Sequence, residues 1–158
     1  MSTSKANSTD PELVFAVLTE VHMLHHLSTS EFNKEQDHTL HMAHFAVLNR
    51  LHRYGDAQTP QQLADKMRVS RATMTNSLAR LTEKGLINVL DNPSDKRSKL
   101  VFLTAEGRKA RDGAIARVAP ALEHYASSLG NDALEELLRL LRVLHQSMDP
   151  SEREAPGY

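Results

Sequence analysis

Two groups of side chains in this 158-residue chain have the types and spacing to do chemistry. The first is histidine: there are nine, and seven fall between His22 and His52. His22 and His26 are four apart, which puts two imidazoles on one face of a helix, and His38, His41 and His44 follow at intervals of three. Neutral imidazoles so spaced could chelate zinc, copper or nickel, hydrogen-bond an anionic organic molecule, or titrate between about pH 5 and 8. The second group is small, polar and cationic. Ser70, Arg71, Ala72, Thr73, Thr75 and Asn76 are followed by Arg80, and then by Asp95, Lys96, Arg97 and Lys99. Hydroxyls and an amide that can meet base edges, with guanidinium and ammonium groups that can meet phosphates, are what a duplex-reading surface needs.

The elements that would position the second group are clear from local signals. Thr59-Pro60-Gln61-Gln62 has a cap, a first-turn proline and a Gln three residues on, which opens a short helix through Leu63, Ala64 and Met67. Val69-Ser70 is a turn. Ser70 can cap a further helix with Met74, Leu78 and Leu81 inward and Arg71, Ala72, Thr73, Thr75, Asn76 and Arg80 outward, ended by Gly85. Two helices across so short a turn make a helix-turn-helix. Leu86–Leu90 and Leu100–Leu103 flank a turn-forming tip, Asp91 to Lys99, and read as an antiparallel hairpin. Arg97 is the candidate for minor-groove insertion, and Asp95 is expected to orient Arg97 or to tie down the wing through a charge-assisted hydrogen bond.

Helices extend on both sides. Asp10-Pro11 caps a first helix carrying Val14, Val17, Val21 and Leu24, expected to run to about Thr29 before a polar break from Ser30 to Asp37. Phe45, Leu48 and Leu51 mark a second helix ending near Tyr54-Gly55. Thr104 should cap a helix through Arg111, Ile115, Val118, Leu122 and Tyr125 that Pro120 bends, and Asn131 should cap a last one with Leu134, Leu137, Leu141, Leu144 and Met148 at coiled-coil spacing. Residues 1–9 and 149–158 read as flexible tails.

Composition narrows the function. No cysteine is present, which excludes a disulfide framework, a thiolate metal site and a cysteine nucleophile. The net charge of −1 conceals a segregation: Lys66 to Arg111 holds eleven Lys/Arg against four Asp/Glu, a balance of +7, leaving −8 for the remainder. One block is suited to phosphates and the rest is not. No stretch is apolar enough to span a membrane and no secretory signal is evident, so a cytoplasmic location is expected. There is no glycine-rich phosphate loop, nucleophile elbow or HExxH helix, so no catalytic residue is assigned and no cofactor is implied.

The motif residues Val69-Ser70-Arg71-Ala72-Thr73-Met74-Thr75, Leu81-Thr82-Glu83-Lys84-Gly85-Leu86-Ile87, Asn92-Pro93-Ser94-Asp95-Lys96-Arg97 and Leu103-Thr104-Ala105-Glu106-Gly107 resemble those of MarR-family winged helix-turn-helix regulators. The resemblance covers residues from about 10 to 148. It implies a mainly α fold with a small antiparallel β-wing. The winged helix-turn-helix would span about 38–104, flanked by dimerisation helices at about 10–30 and 104–148. It further implies a homodimer on palindromic double-stranded DNA and a ligand pocket between the dimer base and the DNA-binding lobe. The apolar stripes of the terminal helices point the same way, since a lone winged domain could not cover them. Family members usually open the second helix with a Ser/Thr-type cap and a Gln, where this chain places His41 and His44.

The expected function is therefore a ligand-responsive repressor released from its operator by a small organic effector, anionic or aromatic, contacted by His22, His26, His41 and His44. The alternative is a zinc-type metal response through the same cluster. The rivals are surface histidines without a shared role, a histidine-metal hydrolase, and a winged protein-interaction module that does not bind DNA.

Overall fold

A computed structural model describes residues 10–36 and 40–149. Residues 1–9 and 150–158, and His38 with its neighbours at 37 and 39, lie outside the described residues. The order of elements is α1 (Pro11–Glu35), α2 (Met42–Tyr54), α3 (Pro60–Lys66), α4 (Arg71–Glu83), β1 (Ile87–Asn92), β2 (Asp95–Leu103), α5 (Ala105–Leu129) and α6 (Asn131–Met148). The chain divides into two compact units, Met1–Arg117 and Val118–Tyr158.

In the first unit α1 begins as its sequence requires. The Asp10 carboxylate accepts the amides of Glu12 at 3.0 Å and Leu13 at 3.4 Å, and Pro11 holds the first turn. The helix does not stop near Thr29. It continues to Glu35, because its last turn is drawn inward: Phe32 is buried and its ring lies 4.9 Å from that of Phe45. Gln36, just past the helix, is also buried. Its amide nitrogen donates to the Ala114 carbonyl at 3.2 Å and its oxygen accepts from Arg117 at 2.8 Å. The polar stretch read as a break is thus a helix end fastened by distant partners.

The core forms where α2, α3 and α4 meet the hairpin. Leu48 and Leu51 of α2, Leu63 of α3, Met74 and Leu81 of α4, Ile87 of β1 and Val101 of β2 are all essentially inaccessible to solvent. α2 ends at Gly55, whose φ of +91° favours glycine. In α3 the Thr59 hydroxyl accepts the Gln62 amide at 3.1 Å while the Gln62 side chain accepts the Thr59 amide at 2.8 Å, the reciprocal box its sequence announces. α4 ends in a Schellman arrangement, the amide of Gly85 bonding Thr82 and that of Leu86 bonding Leu81, with Gly85 at φ +68°.

The strands pair antiparallel with Ile87 opposite Leu103, Val89 opposite Val101 and Asp91 opposite Lys99, and the register slips at Asp91/Asn92. They extend well into the segment read as a tip, which shrinks to a turn at Pro93-Ser94. A short third edge is added where Gln58 pairs with Val101. Thr104 then joins the hairpin to α5: its hydroxyl donates to the Gly85 carbonyl at 2.8 Å and accepts the Gly107 amide at 2.9 Å.

The second unit contains the C-terminal part of α5 and α6. α5 carries Pro120 within its helical span. Asn131 is not the cap of α6. Gly130 holds that position at φ +80°, a reversal that glycine accepts without strain. Among the described residues none of α6 is buried, and Leu137, Leu138, Leu140, Val143 and Met148 stand exposed.

Candidate nucleic-acid interface

α4 presents its outward face on a rigid base. Met74, Leu78 and Leu81 anchor one side in the core, so Arg71, Ala72, Thr73, Thr75, Asn76 and Arg80 are all left exposed on the other. Ser70 performs two tasks at once. Its hydroxyl accepts the Thr73 amide at 3.0 Å and lies 2.8 Å from the Thr73 hydroxyl, so it orders the first turn as well as standing on the exposed face. The Thr75 hydroxyl donates back to the Arg71 carbonyl at 2.8 Å, which leaves its oxygen able to accept. Arg80 meets Glu83 at 3.5 Å in an exposed pair, a weak restraint on a long side chain.

The wing is stiffened by its own polar residues. Asn92 accepts the Ser94 amide at 3.0 Å and donates to the Ser98 hydroxyl at 2.9 Å. The Asp95 carboxylate accepts the backbone amide of Arg97 at 3.0 Å; of the two roles expected for it, tying down the wing is the one this bond performs. Lys96 and Arg97 are exposed at the tip, whereas the Lys99 ammonium is bound to the Asp91 carboxylate across the ladder. Sequence reasoning missed that pairing because the two residues are eight apart and become neighbours only through the register. It also missed Asp56, which accepts the Leu103 amide at 2.8 Å and the Arg108 guanidinium at 3.0 Å, fixing the base of the wing to α5. In sequence Asp56 follows Gly55 and reads as an ordinary turn residue.

The histidines separate into two places. His22 and His26 pack edge to face at 4.4 Å on α1. His41 and His44, with ring centres 5.9 Å apart at the start of α2, line a cleft of about 490 Å³ whose opposite wall is α4 with its C-cap: Thr73, Asn76, Ser77, Arg80 and Lys84. His41 occupies the cap position of α2 without a side-chain capping bond; the orphan amide of Met42 is taken by the Asn33 side chain at 2.7 Å instead. Burial depresses the His44 pKa below its ordinary 6.5, and the charges of His41, Lys84 and Arg80 push it further the same way. Its Nδ1 is buried and has no partner among the described residues. Nor, among the described residues, do any three His, Asp or Glu converge as a metal ion would require, so the metal alternative finds no support. A second cleft shares Lys84 and is otherwise lined by Leu40, Leu86, Lys109, Gly113 and Arg117 among others.

A capped, exposed helix backed by three buried side chains, followed by a hairpin with a cationic tip, is a winged helix-turn-helix. Residues 40–99 match the MarR family model. Over those residues the protein is similar to MarR-family winged helices. The transcriptional regulator HosA of Escherichia coli O111:H- is 34% identical over 75 residues, which are 48% of this chain and 56% of HosA. The chain thus spans little more than half the length of the curated relatives it matches. Among solved structures, the transcriptional regulator BldR from Sulfolobus solfataricus shares the fold at a TM-score of 0.78 and 20% identity, over 88% of this chain and 99% of that one. A mutant MarR from Escherichia coli, solved in complex with operator DNA, is similar at a TM-score of 0.72 and 26% identity, over 86% of this chain and 99% of that one. The matched residues run from just before α2 into β2 and carry both the exposed face of α4 and the cleft it shares with His41 and His44. Among the described residues no helix is long and apolar enough to cross a membrane.

Proposed function

We propose that this chain is a DNA-binding transcriptional regulator that acts as a homodimer, places α4 in the major groove and reaches sideways with Lys96 and Arg97 at the wing tip. The observation that carries the reading is the exposed face of α4: small and polar residues from Arg71 to Asn76 on a helix fixed by Ser70 at one end and Met74 beneath. The operator complex of the similar Escherichia coli MarR supports it. Dimerisation is supported by two unburied apolar faces, Val14, Val17, Val21 and Leu24 on α1 and Leu137, Leu140 and Val143 on α6, which water would otherwise have to cover. In a two-fold dimer the reading helices fall into successive major grooves of a palindromic site.

Repression released by a small organic anion is the regulatory reading. The cleft between His41, His44 and α4 has the size of a ligand pocket and carries Arg80 and Lys84 on one wall with imidazoles on the other. A gel shift with the region upstream of its own gene tests the DNA reading: sequence-specific retention is expected, and its absence would favour a winged interaction module. Titration calorimetry with benzoate tests the effector site: alanine at His41 or His44 should weaken binding, and unchanged benzoate affinity would remove the pair from the site.

A further inference from the structure

The cleft and the reading face share residues. Thr73, Asn76 and Arg80 are exposed on the same side of α4 that would meet a duplex, and all three also line the cleft with His41, His44 and Lys84. With α4 in a major groove, an occupant held there would lie at the margin of the duplex, where the sugar–phosphate backbone runs. Its chemistry is set by what surrounds it: a guanidinium and an ammonium, the hydroxyls of Thr73 and Ser77, an amide donor on Asn76, and two imidazoles that become donors when protonated. Among the described residues no carboxylate lines this cleft, and the nearby Glu83 is turned to Arg80 in an exposed pair. Such a set favours an oxyanion bearing several acceptor oxygens. The unpartnered Nδ1 of His44, buried within the described structure, is a polar atom that the fold by itself leaves unsatisfied.

We propose that this cleft holds a backbone phosphate of bound DNA, so that His41 and His44 on α2 extend the DNA contact beyond α4 and the wing. The inference rests on the reading of this chain as a DNA-binding regulator. It also deepens the effector reading, because an organic anion in the cleft then displaces a phosphate directly and needs no change in the spacing of the two reading helices. The contact is linked to protons taken from solvent. In free protein the groups facing His44 are His41 at the cap of its own helix, Arg80 on α4 and Lys84 at the C-cap of α4, all of one sign, and with burial they disfavour its charged form. A phosphate entering between them reverses that balance and favours imidazolium. DNA affinity therefore rises as pH falls through the bound-state pKa and levels off below the free-state pKa. Each unit by which DNA raises one histidine's pKa appears as about a tenfold gain in affinity.

The experiment is a fluorescence anisotropy titration of the full chain with a short labelled duplex of arbitrary sequence, at constant ionic strength, between about pH 8.5 and about pH 5.5. Phosphate contacts are independent of sequence, so arbitrary DNA reads them. Wild type should bind about tenfold or more tightly at the acid end, and its slope of log affinity against log salt should be steeper there by about 0.9 for each phosphate newly neutralised. The double variant His41→Gln, His44→Gln should lose most of the gain, and His52→Gln, on the same helix but outside the cleft, should keep it. A wild-type salt slope that is the same at both pH values overturns the proposal without relying on any variant. An unchanged acid gain in the double variant overturns it too. Benzoate titrated into DNA-free protein separates the two readings. If benzoate binds through His41 and His44 while the DNA profile ignores them, the effector reading survives and the phosphate contact falls. If the DNA profile depends on them and benzoate does not bind, the phosphate contact stands alone.

Discussion

The Asp95 carboxylate accepts the backbone amide of Arg97 at 3.0 Å, so the acid in the wing shapes the chain that carries the guanidinium and leaves the charge at the tip. An isolated acid beside three cations would oppose phosphate binding; one occupied with an amide at a turn is a structural part. Replacing Arg97 by Ala should weaken DNA binding by about 1–3 kcal/mol while the sequence preference set by α4 persists. Anisotropy titrations on matched and altered duplexes measure both, and wild-type affinity in the variant would remove the wing from the mechanism.

The cap at Ser70 is testable by stability alone. Its hydroxyl accepts the Thr73 amide at 3.0 Å, and Ser70→Ala should destabilise the protein by about 1 kcal/mol, with Ser70→Gly costing only a few tenths. Urea unfolding reads the difference, and equal stability of the three proteins would show that the first turn of α4 is ordered by something else.

Two glycines of α5 should respond in opposite directions. A Cβ on Gly107 would lie 2.1 Å from the Leu86 carbonyl oxygen, a backbone atom that cannot swing away, whereas one on Gly113 meets nothing within 4 Å. Gly107→Ala should cost about 1–3 kcal/mol through overpacking, and Gly113→Ala should stabilise by about 0.5–1 kcal/mol through helix propensity. Thermal unfolding shifts of the same sign in the two variants would contradict the close approach of α5 to the start of β1.

His44 gives a pH dependence of stability. Its native pKa is held below 6.5 by burial first and then by His41, Lys84 and Arg80. The unfolded chain therefore takes up the proton more readily, so this contribution is complete above 6.5 and is lost as pH falls from there toward the depressed native value. The thermal midpoint of wild type should drop over that window more than that of His44→Gln. Identical drops would show that His44 titrates alike folded and unfolded.

The reading helix and its supports were legible in sequence because their signals are local. Thr59 with Gln62, Ser70 with Thr73, and Gly85 after Leu81 each act within a few residues, and the buried stripe Met74, Leu78, Leu81 repeats at helical spacing. What was not legible depends on chain far away. α1 runs on to Glu35 because Phe32 and Gln36 find Phe45, Ala114 and Arg117. Asp56 acquires its role from Leu103 and Arg108, and Lys99 from its register partner Asp91. The histidines were conspicuous by number, yet only the packing of α2 against α4 separates His41 and His44, which share a cleft with Arg80, from the pair His22 and His26 on α1.

The central claim is that the cationic block, Lys66 to Arg111 with its balance of +7, binds duplex DNA through α4 and the wing. Its most direct test is the salt dependence of binding to the duplex upstream of its own gene, measured by fluorescence anisotropy in wild type and in Arg97→Ala. The expected result is a straight line of log affinity against log salt with a negative slope of about 0.9 per phosphate neutralised, steep enough to count several contacts and shallower in the variant by about one. A flat line, or a slope the variant leaves unchanged, would contradict it.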